Sequence, residues 1–306
     1  MHSALHQHHH LSAHTAISVA LALASALAFA IAIVAQQRAA ERVPDEHARS
    51  GRFFAHLVRS RLWLAGTVSN TLGFGLQAAA LGFGSLLVVQ PLLVTSLLFA
   101  LPLSAWLAHR KIPQAVRSWA LVLVVALAIF LTIGNPNHGA DHAGKVSWLI
   151  AAAVLGPMVA VCLIGASKAL GGHRATFLAV ATGLLGGVLA VFTKGVVGDL
   201  SHHGVLRVFS NWEIYGLIAV GVAGIYLQQL SFQAGALQAS WPIITVLEPL
   251  VAAALGLGLL HEKMRVTHVR LAILILAVIA MVVATAALSR RAALDAPTPA
   301  AEALED

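Results

Sequence analysis

Apolar residues run along this chain in blocks of about twenty, with the polar residues gathered into short islands between them. A helix needs about 20 apolar residues to cross the hydrocarbon core of a bilayer. Nine blocks reach that length, at roughly 15–35, 62–82, 85–108, 118–134, 146–167, 175–197, 213–234, 238–260 and 268–288. The pattern predicts an all-α, polytopic membrane protein with the lipid bilayer as its main partner. Lys194 falls near the end of its block, where its stem is expected to snorkel to the interface. Lys and Arg test the orientation. The first block has no Lys or Arg before it and six Arg between 36 and 61 after it, the reverse of a secretory signal. It reads as an uncleaved anchor with its N-terminus outside. Nine crossings from that start leave 13 of the 19 basic residues in cytoplasmic segments, as the positive-inside rule requires.

A second regularity overlies the blocks. Leu76-Gln77, Gly84, Leu86 and Pro91 return as Leu227-Gln228, Gly235, Leu237 and Pro242, a shift of 151 positions; with one more residue inserted, His109 and Lys111 return as His261 and Lys263. On the nine-span arrangement the block at 62 runs outward and its counterpart at 213 runs inward. The chain therefore reads as an inverted repeat, the architecture of many secondary transporters. Its parts are a His-rich exterior tail at 1–14, a first half at 15–145 that lacks a helix within its basic cytoplasmic loop at 36–61, a second half at 146–288, and a disordered cytoplasmic tail at 289–306.

Composition narrows the class further. The chain is 59% hydrophobic and 10% charged, against about 25% charged residues in soluble domains. The net charge of +7 has no basic, aromatic-interleaved platform to act through, so no nucleic-acid partner is expected. The lone Cys162 excludes an internal disulfide. No nucleophile-base pair or phosphate loop stands in the blocks, so neither an enzyme nor a cofactor is expected.

The segment from Tyr226 through Gly235, Trp241-Pro242, Glu248-Pro249 and Leu260-His261-Glu262 resembles the second-repeat signature of the drug/metabolite transporter (DMT, EamA-like) superfamily, where an aliphatic-Glu-Pro run precedes a Glu at the helix end by about a dozen residues. The first repeat, with Trp63-Leu-Ala-Gly66, Leu86 to Pro91 and Asn135-Pro136, is similar to the NIPA-type magnesium transporter branch. The resemblance implies alternating-access transport across a cytoplasmic (plasma) membrane. It departs from the pattern where His109-Arg110-Lys111 replaces the acid expected at the end of the first repeat's helix.

Candidate site residues follow from polarity at membrane depth. Glu248 is the carboxylate at clear mid-depth, where an unpaired charge costs several kcal/mol; it reads either as a coupling residue that binds and releases a proton, or as a neutral acid bonded to a neighbouring helix. Gln77, Gln228, Gln229 and Gln233 place amides on the helices preceding the Pro-interrupted ones, either at a substrate or as interhelical hydrogen bonds. Asn70 and Gln90 read as glue between helices. Pro91, Pro242 and Pro249 are the helix breaks, and Trp241 lines a cavity or anchors at the interface. Gly183, Gly186, Gly187, Gly221 and Gly224 permit close helix approach. Twelve of the 16 histidines fall outside on this topology. His8, His9 and His10 are weak candidates for transition-metal capture in a tract expected to be disordered.

These residues point to a carrier for a small polar metabolite or amphiphile, with proton coupling as an option. A NIPA-like divalent-cation permease and a non-transporting membrane scaffold are the alternatives. Substrate, direction of transport and a choice between monomer and homodimer are not legible here.

Overall fold

The computed structural model describes residues 2–41, 60–107, 109, 111–134, 136–137, 139–234, 237–264 and 268–294. Among the described residues eleven helices occur, in chain order α1 His2–Glu41, α2 Arg61–Phe83, α3 Leu86–Leu93, α4 Ser96–Leu107, α5 Gln114–Gly134, α6 Lys145–Lys168, α7 Gly171–His203, α8 Val205–Ser210, α9 Trp212–Ala234, α10 Leu237–Gly258 and α11 His268–Leu294. A two-residue antiparallel bridge, β1 Pro136–Asn137 with β2 Lys263–Met264, ties the loop after α5 to the loop after α10. Among the described residues, seven spans are long and apolar enough to cross a membrane: 14–36, 86–107, 114–134, 145–168, 171–203, 212–231 and 268–290. The other two expected blocks also form helices. However, α2 is broken up by glycines and polar residues, and the apolar part of α10, Pro242–Gly258, is short.

The outward faces carry the lipid contact. Val146, Leu149, Ile150 and Val154 on α6, Ile218, Val222 and Ile225 on α9, and Leu276 and Ile279 on α11 are exposed. A girdle of this kind is unfavourable in water and natural in hydrocarbon. The chain is a multi-pass, all-α membrane protein.

Inside the bundle, backbones meet closely through small residues. Hydroxyls on α1 and α2 bond across to the facing backbone, Ser25 Oγ to Gly73 O at 2.7 Å and Ser69 Oγ to Ala28 O at 2.8 Å. The α7–α9 contact repeats the device with Ser231 Oγ to Ala175 O at 2.9 Å. Along α7 a Cβ at Gly183 would meet Leu247, one at Gly186 would meet Glu248, and one at Gly187 would meet Val251, so these glycines hold α7 against α10 as expected. Gly224 is different: nothing lies within 4 Å of its Cβ position, so it mediates no packing.

Three expectations about segments need correction. The histidine tract is not a disordered tail, because α1 starts at His2; with no Gly or Pro from His2 to Glu41, nothing stops the apolar helix from extending back through it. At the other end, residues 289–294 continue α11, since Ser289-Arg-Arg-Ala-Ala-Leu contains no breaker. The expected disordered tail beyond 294, and the basic loop between 42 and 59, lie outside the described residues. Finally, α10 runs through both Pro242 and Pro249, so these are not breaks; the 86–107 span is interrupted between Leu93 and Ser96, just after Pro91.

Candidate functional site

One end of the bundle gathers the buried charge. α7 is 33 residues long and continues nine residues beyond Lys194, about two and a half turns, and the lysine lies inside the protein with 1% of its side chain exposed. Its Nζ donates to Glu262 Oε1 at 2.6 Å, and Glu262 is wholly buried. The same carboxylate also accepts from the first backbone N–H groups of α3, Leu86 N at 2.9 Å and Leu87 N at 3.1 Å. Those N–H groups have no partner within their own helix, and the positive end of the helix dipole favours an anion there. Glu262 therefore joins three elements: the loop after α10, α7 and the start of α3. Burial of both charges is tolerable only because each is paired and hydrogen-bonded.

The expectation that Lys194 snorkels is overturned by this pairing. It assumed that the span ends near 197, whereas α7 continues to His203 and the ammonium turns inward to Glu262.

A strap of residues 136–142 closes over this end. Ala140 N donates to Leu260 O at 2.7 Å, and a Cβ at Gly139 would strike the Leu260 carbonyl and Glu262 N, so the strap passes too close for any other residue. It then delivers His142 into a second polar group on α7 and α9. His142 Nδ1 lies 2.8 Å from Glu213 Oε2, and its Nε2 lies 3.4 Å from Asp199 Oδ1. Both carboxylates are buried, with 4% of the side chain exposed. Asn211 Nδ2 donates to the other oxygen of Asp199 at 2.6 Å, and His203 Nδ1 stands 3.8 Å from Asp199 Oδ1. Behind Glu213, Trp148 stacks on Phe192 with ring centroids 4.4 Å apart, and Trp212 meets both edge-on. Among the described residues this is where His and carboxylate ligand atoms converge, all within 4.8 Å of one another.

The residues singled out in the sequence fall elsewhere and do not converge. Glu248 is half-buried on the α7 side of α10, against Gly186, and among the described residues no hydrogen bond or ion pair reaches it. Gln77 is buried in α2, Gln228 is half-buried and Gln229 is exposed on α9. The side chains of Gln233 and Trp241, like those of His8, His9 and His10, lie outside the described residues. Gln90 is 2% exposed, and among the described residues its Nε2 has no hydrogen-bond partner.

A cavity of about 290 Å³, open on one side, lies between α3, α5, α10 and α11. Pro91 and Pro249 both line it, among Leu87, Phe130, Leu250 and Met281, and the hydroxyls of Thr245 and Thr285 are its polar groups. Pro249 thus faces the cavity, whereas Glu248 beside it faces α7.

Comparison with known proteins gives one relationship. Over 267 residues the chain is 38% identical to the uncharacterized protein Cgl0250/cg0304 of Corynebacterium glutamicum, an alignment covering 86% of this chain and 91% of that one. The chain belongs to that protein's family. The match spans nearly all of both members, so the family shares the whole bundle rather than one segment. No protein-family profile and no solved structure matches the chain.

Sequence reading found Glu262 only through the resemblance and missed its partner Lys194. It also missed His142, Asp199 and Glu213. The available signal was the presence of Lys194 and Asp199 five residues apart within one long apolar helix, because ionisable residues inside spans are rare and usually paired.

Proposed function

We propose that this chain is a secondary carrier resembling drug/metabolite transporters, with nine spans forming an inverted repeat, its N-terminus outside the cytoplasmic membrane, and an amphiphile as its substrate. The observation that carries this reading is a match in register between the halves. The bounds of α2 and α9, Arg61–Phe83 and Trp212–Ala234, differ by 151 positions, and so do the ends of the 86–107 span and of α10. His109 and His261, repeat counterparts, are the non-glycine residues with positive φ among those described, both at 51°. Halves built alike and meeting around a cavity are what alternating access needs.

The cavity wall favours the amphiphile over a small polar metabolite, since an apolar surface with two hydroxyls gains its affinity from burying hydrocarbon. It offers a magnesium ion no carboxylate, which speaks against the cation permease. The buried Lys194–Glu262 pair joins the second half to α3 of the first and would act as the outer lock in this state. Purified protein in liposomes should move amphiphilic cations or zwitterions across the bilayer when a proton gradient is imposed. Ala253→Phe, which fills the cavity, should cut that flux about tenfold or more, the loss expected when a substrate no longer fits. Flux that is insensitive to this substitution would separate the cavity from transport.

Orientation has its own check. In a Cys162→Ala background, an impermeant thiol reagent added from outside should label a Cys placed at Ser12 and miss one placed at Ser50. The opposite pattern would reverse the N-terminus and remove the inverted arrangement.

A further inference from the structure

We propose that His142 and Asp199 bind a divalent first-row transition ion at the end of the bundle, with His203 closing the ligand set and Glu213 holding the imidazole. Charge is the first argument. Asp199 and Glu213 are both buried, and the one imidazole that touches both is His142, with the exposed His203 3.8 Å from Asp199 as the other cationic group within reach. A divalent cation balances the group, and buried charge persists only when it is paired or coordinates a metal.

Geometry is the second. His142 turns a different ring nitrogen to each carboxylate, so an ion can take only one side. On the Asp199 side Nε2 and Oδ1 are 3.4 Å apart, close to the ~3.3 Å edge of a tetrahedron whose metal bonds are about 2.0 Å. On the other side, Glu213 accepts the Nδ1 proton at 2.8 Å, which is the outer carboxylate–histidine contact that fixes the tautomer of a metal-bound imidazole. Asn211 does the same for Asp199 by holding its second oxygen. His203, 59% exposed and 3.8 Å from Asp199 Oδ1, needs only a small side-chain movement to join. Imidazole with carboxylate selects zinc, manganese or iron over magnesium, which prefers oxygen alone. The exposed rim of Asp141 and His202 stands beside it. The ion would tie the strap, α7 and α9 together, whatever the protein transports.

The probe is Zn²⁺ on the full purified chain, stripped with chelator, dialysed against the metal and assayed for bound zinc. The N-terminal histidines are present in every sample, so the site is read as a difference between variants. His142→Ala and Asp199→Asn should each lose one zinc per chain. Glu213→Gln should keep it with affinity 10- to 100-fold weaker, the usual cost of removing an outer-shell partner. His173→Asn should change nothing. Unchanged stoichiometry and affinity in His142→Ala and Asp199→Asn would overturn the proposal, as would outright loss in Glu213→Gln with retention in Asp199→Asn. Should a variant fail to fold, the unmutated chain decides. Zinc should slow diethyl pyrocarbonate modification of His142 and His203, mapped by mass spectrometry, and leave His173 unaffected. Equal reactivity at His142 with and without zinc would sink the site.

Discussion

Glu262→Gln is expected to destabilise the protein by about 3–5 kcal/mol, the cost of leaving a buried partner charge unpaired. Lys194 would remain 1% exposed with a neutral amide in place of its counter-ion. The first N–H groups of α3 would face an acceptor with half its former charge-assisted strength. Lys194→Met should cost a similar amount, because it strands the carboxylate. The informative variant is the double substitution, Lys194→Met with Glu262→Gln, which removes both charges and should recover much of the loss, since replacing a whole buried pair is often near neutral. Denaturation of the detergent-solubilised protein measures all three. Single variants within about 1 kcal/mol of the parent, or a double equal to the sum of the singles, would mean that the pair is not the join described here.

The second large effect concerns function. Glu248→Gln should fold normally, because among the described residues no hydrogen bond or ion pair is lost with the charge, and the amide keeps the shape of the acid. It should abolish accumulation of substrate driven by a proton gradient while leaving exchange of substrate across the membrane. An unpartnered carboxylate at mid-depth costs several kcal/mol as an anion when sealed from water. It should therefore take up a proton when the surrounding space closes and release it when that space opens. A glutamine keeps the shape and cannot carry the proton. If the variant still accumulates substrate with unchanged pH dependence, Glu248 is structural and the coupling mechanism is wrong.

Sequence and structure agree on what depends on runs of like residues and part where a single partner decides. The helices were legible because twenty apolar positions in a row have few other fates, and each expected block contains one. The offset of 151 positions between Leu76-Gln77 and Leu227-Gln228 also separates the bounds of α2 and α9. The charged end was not legible. Glu262 lies 68 residues from Lys194 and the strap more than 50, and no local pattern links a lysine in one helix to an acid after another. Glu248 drew attention for its depth, yet its side chain points away from the cavity that Pro249 lines. One residue of helical rotation separates those two directions, finer than apolar periodicity can resolve when the helix is apolar on every face.

The Glu262 contact also bears on how the protein is made. The acceptor for Leu86 N lies 176 residues further along the chain. At a synthesis rate of 5–20 residues per second, α3 waits about 10–35 s for that carboxylate to emerge. Throughout that interval the opening N–H groups of α3 lack their final acceptor and depend on water or a temporary partner. The first half can thus insert before the second is made, but it settles into its final position only once the last loop has arrived, and a chain cut short before residue 262 never reaches it.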